Sequence, residues 1–458
     1  MTAQQPVDVP KSPSCRVKHT TFGSKADGTP YTVELGANWA LKYKLVNTYS
    51  NYSSIETFDQ TGAVDYSNLL NDYDNAFTTV SEAAGNILSE NLQDRSFRSG
   101  LSLAGWKPKK NMRAQASEWW QFDWEYGESP DLSSQEWAII NYNTSFNQFS
   151  PDNQYVYDQR GFNAFIIGEA STYLKSNDPR LLLNTIVTKI AYDDDGVTVT
   201  NQDGSCIQAD YAVCTFSLGV LQNDAVQFSP ALPHWKQLGI DTFTMATYTK
   251  IFLQFPSDKV FWDRDTQFFL YADPLERGYY PVWQSLDGPG FLEGSGIFFV
   301  TVVTPQSYVA EAQTDEETKA QVLAVLRDMF GAENVPEPTA FLYPRWSEVP
   351  WAYGSYSNWP PGTTLATHQN LRAPLNNRLF FAGEATSAEY YGFLHGAYFE
   401  GQLVGTQIAG CVKGEGDVCA GDGNVYYSQT ELMGTTPVDS LNETNGWMVS
   451  SFLDPAGN

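Results

Sequence analysis

Residues 376–411, NNRLFFAGEATSAEYYGFLHGAYFEGQLVGTQIAGC, bring together the parts that an electron-rich ring or an anion would need. Leu379–Ala382 reads as a buried strand, and Gly383 and Glu384 follow at its carboxyl end. After a polar loop, a helix opens near Gly392 to His395. Its first backbone N–H groups and its positive dipole end would face whatever lies above the sheet edge, an arrangement that favours anionic or electron-rich groups. Ala397, Gly401, Gly405 and Ala409 recur every four residues and predict tight packing of this helix on a sheet. The cysteines supply no metal pattern. Cys206 and Cys214, in a strand-rich apolar stretch, read as small core residues. Cys15 reads as unpaired. Cys411 and Cys419 could close a disulfide in an oxidising compartment, although the odd total of five argues against a disulfide framework.

The elements that must hold such a site are readable in outline. Residues 15–39, CRVKHTTFGSKADGTPYTVELGANW, alternate around Ala26-Asp27-Gly28 and predict a hairpin running into Gly36-Ala37-Asn38-Trp39. Apolar positions from Leu69 to Leu88 follow helical spacing, and Thr314 caps a second helix that Gly331 ends. Between them, residues 196–210 alternate on both sides of Asp203-Gly204, a second hairpin. It leads into the short strand YAVCTF and then SLGVL, a strand-to-helix turn of the α/β kind. Stretches of this character alternate with long aromatic ones, so the expected fold class is α/β (mixed α+β), in two interleaved domains.

At 458 residues the chain is long enough for two domains. Its 53 acidic against 27 basic residues give a net charge of −26, which excludes phosphate-directed nucleic-acid binding. An acidic field attracts cations instead. No window is apolar enough to span a membrane and no apolar leader is present, so no membrane partner is expected. Sequons at Asn51, Asn143 and Asn442 would suit a secreted form, and the compartment stays open on sequence alone.

The 376–411 segment resembles the C-terminal flavin-binding motif of the flavin-containing amine oxidases and is most similar to the polyamine oxidases within them. YTVELGANW, DQRGFNAFIIGEASTYL, ADYAVCTFSLGVLQ, MATYTKIFLQFP and YGSYSNWPPG agree in the same order, so the resemblance runs from Arg16 to about Cys411. It implies FAD-dependent oxidation of a polyamine (spermine, spermidine or acetylated forms) at a secondary amine, with hydrolysis of the imine and reoxidation of the flavin by oxygen to give hydrogen peroxide. It also implies an FAD-binding domain formed by 16–40, 179–232 and 364–411, a substrate-binding domain of 41–178 and 233–363 built on a mixed sheet with helices, and a polar tail of 412–458.

Residue by residue, Lys250 resembles the lysine that holds a water near the flavin N5. Tyr356 and Phe393 resemble the aromatic pair flanking the substrate. Gly36, Ala37, Asn38 and Trp39 resemble a stretch that touches the flavin. Gly383 and Glu384 resemble the turn and the acid at the phosphate and ribityl region, Val187 the residue whose backbone meets the adenine, and Arg16 the arginine of a Gly-Gly-Arg turn. Glu125 and Glu128 in DWEYGES resemble acids near the mouth of a polyamine tunnel; by themselves, in so acidic a protein, they read as exposed surface carboxylates. No Cys lies in SAEYYGFLHGAY, so FAD is expected without a covalent link.

Two departures qualify what is expected. No Gly-x-Gly-x-x-Gly stands upstream of Arg16, where Ser14 and Cys15 replace two glycines, so the Rossmann-like domain is expected to lack its first βαβ unit, to hold FAD weakly and to purify colourless. Trp39 also abuts ALKYKLVN where the family carries a Gly- and Pro-containing loop. Two other readings remain on the sequence: an inactive form unable to hold FAD, and an L-amino-acid oxidase. The second is disfavoured because YTK, YGSYSNWP and YYGFLHG carry no arginine for a substrate carboxylate.

Overall fold

The N-terminal alternation forms its hairpin: His19–Phe22 pairs antiparallel with Tyr31–Glu34, and Asp27 accepts bonds from the backbone and hydroxyl of Thr29 at the turn. The computed structural model describes residues 17–40, 45–145, 154–414 and 429–430. Arg16, Cys15, Cys419 and most of the polar tail lie outside the described residues, and the side chain of Trp39 is likewise not described.

A seven-stranded sheet forms the largest layer. Its order is Ala340–Leu342, Tyr248–Gln254, Ile297–Val303, Val282–Ser285, Phe268–Ala272, Ile55–Asp59 and Gly62–Ala63. Every pairing is antiparallel except Phe268–Ala272 with Ile55–Asp59, which run parallel. Both faces of Tyr248–Gln254 are covered, so its sequence YTKIFLQ carries no polar-out alternation. Ile251 and Leu253 point into the cluster formed with Val322, Leu323, Leu326 and Met329 of the helix Asp315–Phe330. That helix starts with the predicted Thr314 cap, completed as a capping box by Glu317.

The opposite face of the same strand receives the N-terminal hairpin. Phe252 meets Phe22 at 6.0 Å between ring centroids, and Gln254 exchanges bonds with the backbone of Ser24. Gly23 permits that approach, because a Cβ there would lie 2.2 Å from the Gln254 amide oxygen and its φ is +59°. A period of two then puts Lys250 on the hairpin face, between Tyr248 and Phe252.

A smaller layer contains the parallel pair Ala212–Cys214 and Leu379–Phe381, and the four-stranded sheet built on Val187–Tyr192 and the predicted 196–210 hairpin. Cys214 is buried as expected. Cys206 is exposed, because it falls on the outer strand of the hairpin. Cys411 is disulfide-bonded. Near this layer Lys236 is wholly buried. Its ammonium donates to the carbonyls of Leu371 (2.6 Å) and Ala373 (2.7 Å), which end the helix Leu365–Arg372, and it lies 3.5 Å from the Phe381 ring centroid. A cation closing a helix C-terminus is favourable, while burial pushes this amine far down towards its neutral form.

The last helix, Leu394–Lys413, buries Gly396, Glu400, Val404, Gln407 and Gly410. The Gly401, Gly405 and Ala409 stripe is exposed, with nothing within 4 Å of a Cβ at either glycine. The predicted tight packing of that stripe is therefore corrected: the buried face is turned by one residue, because Glu400 pairs with Arg372 and Val404 joins Phe380. Among the described residues no helix is long and apolar enough to cross a membrane, and no group of acids, histidines or cysteines is arranged to hold a metal.

Candidate active site

Lys250 organises the site. Its ammonium, 1% exposed, donates to the Gly36 carbonyl at 2.6 Å and to the side-chain oxygen of Asn38, with the Glu34 carbonyl at 3.4 Å. Partners more than 200 residues away in sequence thus meet because the hairpin docks on one face of the central strand. Burial lowers the Lys250 pKa to about 7, and the nearby Glu34 carboxyl opposes the shift. Glu34 is itself 4% exposed. One oxygen accepts from the Phe162 N–H at 2.7 Å and the other has no partner among the described residues. Desolvation raises this carboxyl to about 7, with Phe162 and Lys250 pulling it back. Lys250 and Glu34 therefore titrate as a coupled pair in the neutral range.

Ala37 carries the same strip to the last helix, sharing a cluster with Val17, Phe162 and Leu394. That 20-residue helix begins after Phe393, which sets its positive dipole end at this strip. Asn38 is wholly buried, its side-chain oxygen accepting from Lys250 and its amide nitrogen set beside the Tyr155 hydroxyl. The Lys250 ammonium, the Asn38 amide and this helix start form a donor set suited to the electron-rich edge of a flavin ring. The residues present fit that ring. At the other end, neither strand of the parallel pair leads into a Gly-x-Gly-x-x-Gly turn.

Glu384, 4% exposed, accepts from the N–H and hydroxyl of Ser357 (3.2 and 2.6 Å) and from the Gly392 N–H at 2.7 Å. It ties the strand Tyr356–Asn358 to the turn that carries Phe393. Gly383, just before it, is in extended backbone. Tyr356 lies 6.1 Å from Tyr248 between ring centroids and donates its hydroxyl to the Glu125 carbonyl at 3.0 Å. Val187 stands in a different cluster, with Ile190 and Leu379, where it opens the four-stranded sheet.

Glu125 and Glu128 are not the exposed surface acids that composition implied. Glu128 is 4% exposed with one oxygen lacking a partner among the described residues, and Glu125 is partly buried. Desolvation raises both to about 7, and the charge of Asp123 adds to the shift at Glu128. An aromatic cluster stands in the same stretch: Trp120 and Trp124 meet Tyr52 and Phe268 edge-on or tilted. Gly127 makes the approach of Tyr356 possible. It ends the turn Trp124–Tyr126 with φ +69°, and a Cβ there would lie 2.9 Å from both the Tyr356 hydroxyl and the Ala246 side chain. Gly127→Ala is expected to cost about 1–3 kcal/mol through left-handed strain and to displace Tyr356. Thermal unfolding checks this, and an unchanged midpoint would contradict it.

Sequence reasoning missed Glu34, Tyr248 and the Asp123 neighbourhood. Glu34 sits inside the quoted YTVELGANW, where the alternation puts it on the polar face opposite Val33 and Leu35, so no local signal marked it as buried. The three comparisons agree with one another. The family model for flavin containing amine oxidoreductase matches residues 19–409. Polyamine oxidase 7 of Oryza sativa subsp. japonica is 42% identical over 292 residues, 62% of this chain and 60% of that protein. Polyamine oxidase 1 of Zea mays is 42% identical over 293 residues, 62% of this chain and 57% of that protein. The chain thus matches about three fifths of the length of these relatives. Among solved structures, a triple mutant of putrescine oxidase from a redesign of cofactor binding superposes with a TM-score of 0.68 at 16% identity, covering 88% of this chain and 92% of that one. Wild-type putrescine oxidase bound to putrescine gives 0.65 at 15% identity, covering 85% and 90%. At that identity the likeness is one of fold.

Proposed function

Because the chain belongs to the flavin-containing amine oxidoreductase family, we propose that it oxidises a polyamine of the spermine, spermidine or acetylated type at a secondary amine, with FAD held without a covalent bond. The observation that carries this reading is the buried Lys250 ammonium set against the Gly36 carbonyl and Asn38. When bound, the flavin supplies the hydride acceptor and passes the electrons to oxygen as peroxide. Gly36, Ala37, Asn38, Trp39 and the Phe393 helix start would hold the ring. Gly383 and Glu384 would stand beside its ribityl side, and Arg16 and Val187 are assigned to the dinucleotide end by resemblance.

The remaining work falls to the protein's own groups. Lys250, poised near pH 7, holds and exchanges a proton at its Nζ. Tyr356 and Phe393 line an aliphatic chain and offer ring faces to its ammonium groups. Glu125 and Glu128, kept near neutrality by burial, ionise when an ammonium group approaches and so take up a cation without the standing cost of two buried charges.

The test is reconstitution of the full chain with FAD, followed by gel filtration and anaerobic addition of spermine or spermidine. The expected result is a retained flavin spectrum that bleaches with either polyamine and yields peroxide in air. Retained flavin that no polyamine bleaches would overturn the substrate class. Failure to retain FAD at any concentration would favour the second reading, a form unable to hold the cofactor.

A further inference from the structure

A second site lies away from Lys250. An open cavity of about 410 Å³ is lined by Arg98, Lys107, Lys109, Arg277, Glu118 and the small polar Ser102, among others. Four of these groups are cations in a chain with 27 basic residues against 53 acidic ones. Lys110 adjoins them in the stretch WKPKKN.

The two arginines are fixed in place. Arg98 donates to both oxygens of Glu118. Arg277 donates to both oxygens of Asp123 at 2.6 Å and to Glu118 at 2.9 Å, and the Trp106 indole adds a bond to Glu118 at 2.8 Å. This network leaves the Arg277 Nε–H buried with no acceptor among the described residues. A buried guanidinium donor left unmatched is costly to the fold. Lys107 and Lys109 are exposed and make no ion pair among the described residues. Their loop is nonetheless set. Asn111 bonds back to Pro108 and caps the next helix at Ala114, and Gln115 donates to the Lys109 carbonyl.

The charges do not cancel. Arg98, Arg277, Lys107, Lys109 and Lys110 stand against Glu118, Asp123 and Asp131, the last of these 3.5 Å from Arg98, which leaves two positive charges.

We infer that this cavity binds a small multivalent anion, a phosphate ester or a di- or tricarboxylate, between the fixed Arg98–Arg277 pair and the Lys107–Lys109 loop. Its lining shares no residue with the groups assigned to the amine chemistry. The test is calorimetric titration of the full chain, loaded with FAD and then freed of unbound FAD by gel filtration so that no competing phosphate ester remains in solution, with inorganic pyrophosphate and with citrate at low salt. One-to-one saturable binding of at least one probe is expected, weakened tenfold or more in the Lys107→Gln/Lys109→Gln double variant and weakened also by added salt. Both substitutions are on exposed side chains, so the variant should keep the wild-type melting temperature. Absence of saturable binding by either probe, or equal affinity in the folded double variant, would overturn the assignment.

Discussion

Lys250→Met is expected to slow anaerobic reduction of the bound flavin by spermine or spermidine by about 10²-fold or more, the scale of a positioned proton-transfer group. Methionine keeps the length of the side chain, so the strand Tyr248–Gln254 and the docked hairpin should repack within about 1.5 kcal/mol. The substitution removes the donor to Gly36 and Asn38 but also removes a buried charge, and these two effects oppose one another. A large loss of rate with a nearly unchanged melting temperature is thus the signature sought. The pH profile gives an independent check. Lys250 and Glu34 are both drawn to about 7, so the wild-type reduction rate should pass through a transition in the neutral range that the variant lacks. An unchanged reduction rate would remove Lys250 from the reaction.

Glu128→Gln should make the protein more stable at pH 8 and leave it nearly unaltered at pH 4. The folded carboxyl titrates near 7 because burial disfavours its charge, whereas in the unfolded chain it titrates near 4.5. Between those values the native state holds a proton that the unfolded state has released, so stability from this group is complete below the unfolded value and is lost as pH rises through about 7. Two and a half pKa units correspond to about 3 kcal/mol, which glutamine should recover in full at pH 8. Urea unfolding at the two pH values reads the difference directly. A gap that is the same at both would show that Glu128 does not titrate as its burial implies. The same variant should raise the KM for the polyamine about tenfold, since an ammonium partner is lost; stability and substrate capture are set against one another at this residue.

What was legible in the sequence follows the range of the forces involved. The 19–34 hairpin, the 196–210 hairpin and the helix capped by Thr314 depend on neighbours a few residues apart, and all three form where their patterns lie. The mixed α/β class was legible for the same reason. Burial of Glu125 and Glu128 was not, because their lid is Tyr356, more than 200 residues later, together with a tryptophan-rich turn whose five-residue π-helical stretch Trp119–Asp123 shifts the helical phase. The small-residue stripe of the last helix misled for a related reason. Periodicity gives the face but not the neighbour, and here the Arg372–Glu400 pair selects the adjoining face. Arg277 was invisible in the same way, since its partners Glu118 and Asp123 lie more than 150 residues earlier.

Lys236, closing its helix beneath the Phe381 ring, has a chemical corollary. Burial favours the uncharged amine there, the form that attacks aldehydes and active esters. The chain therefore keeps an intrinsically reactive amine behind two carbonyls and an aromatic face, where no electrophile arrives while the helix stays shut. Acylation at Lys236 would consequently record how often that helix end opens, making a residue with no part in the chemistry a clock for local opening of this layer.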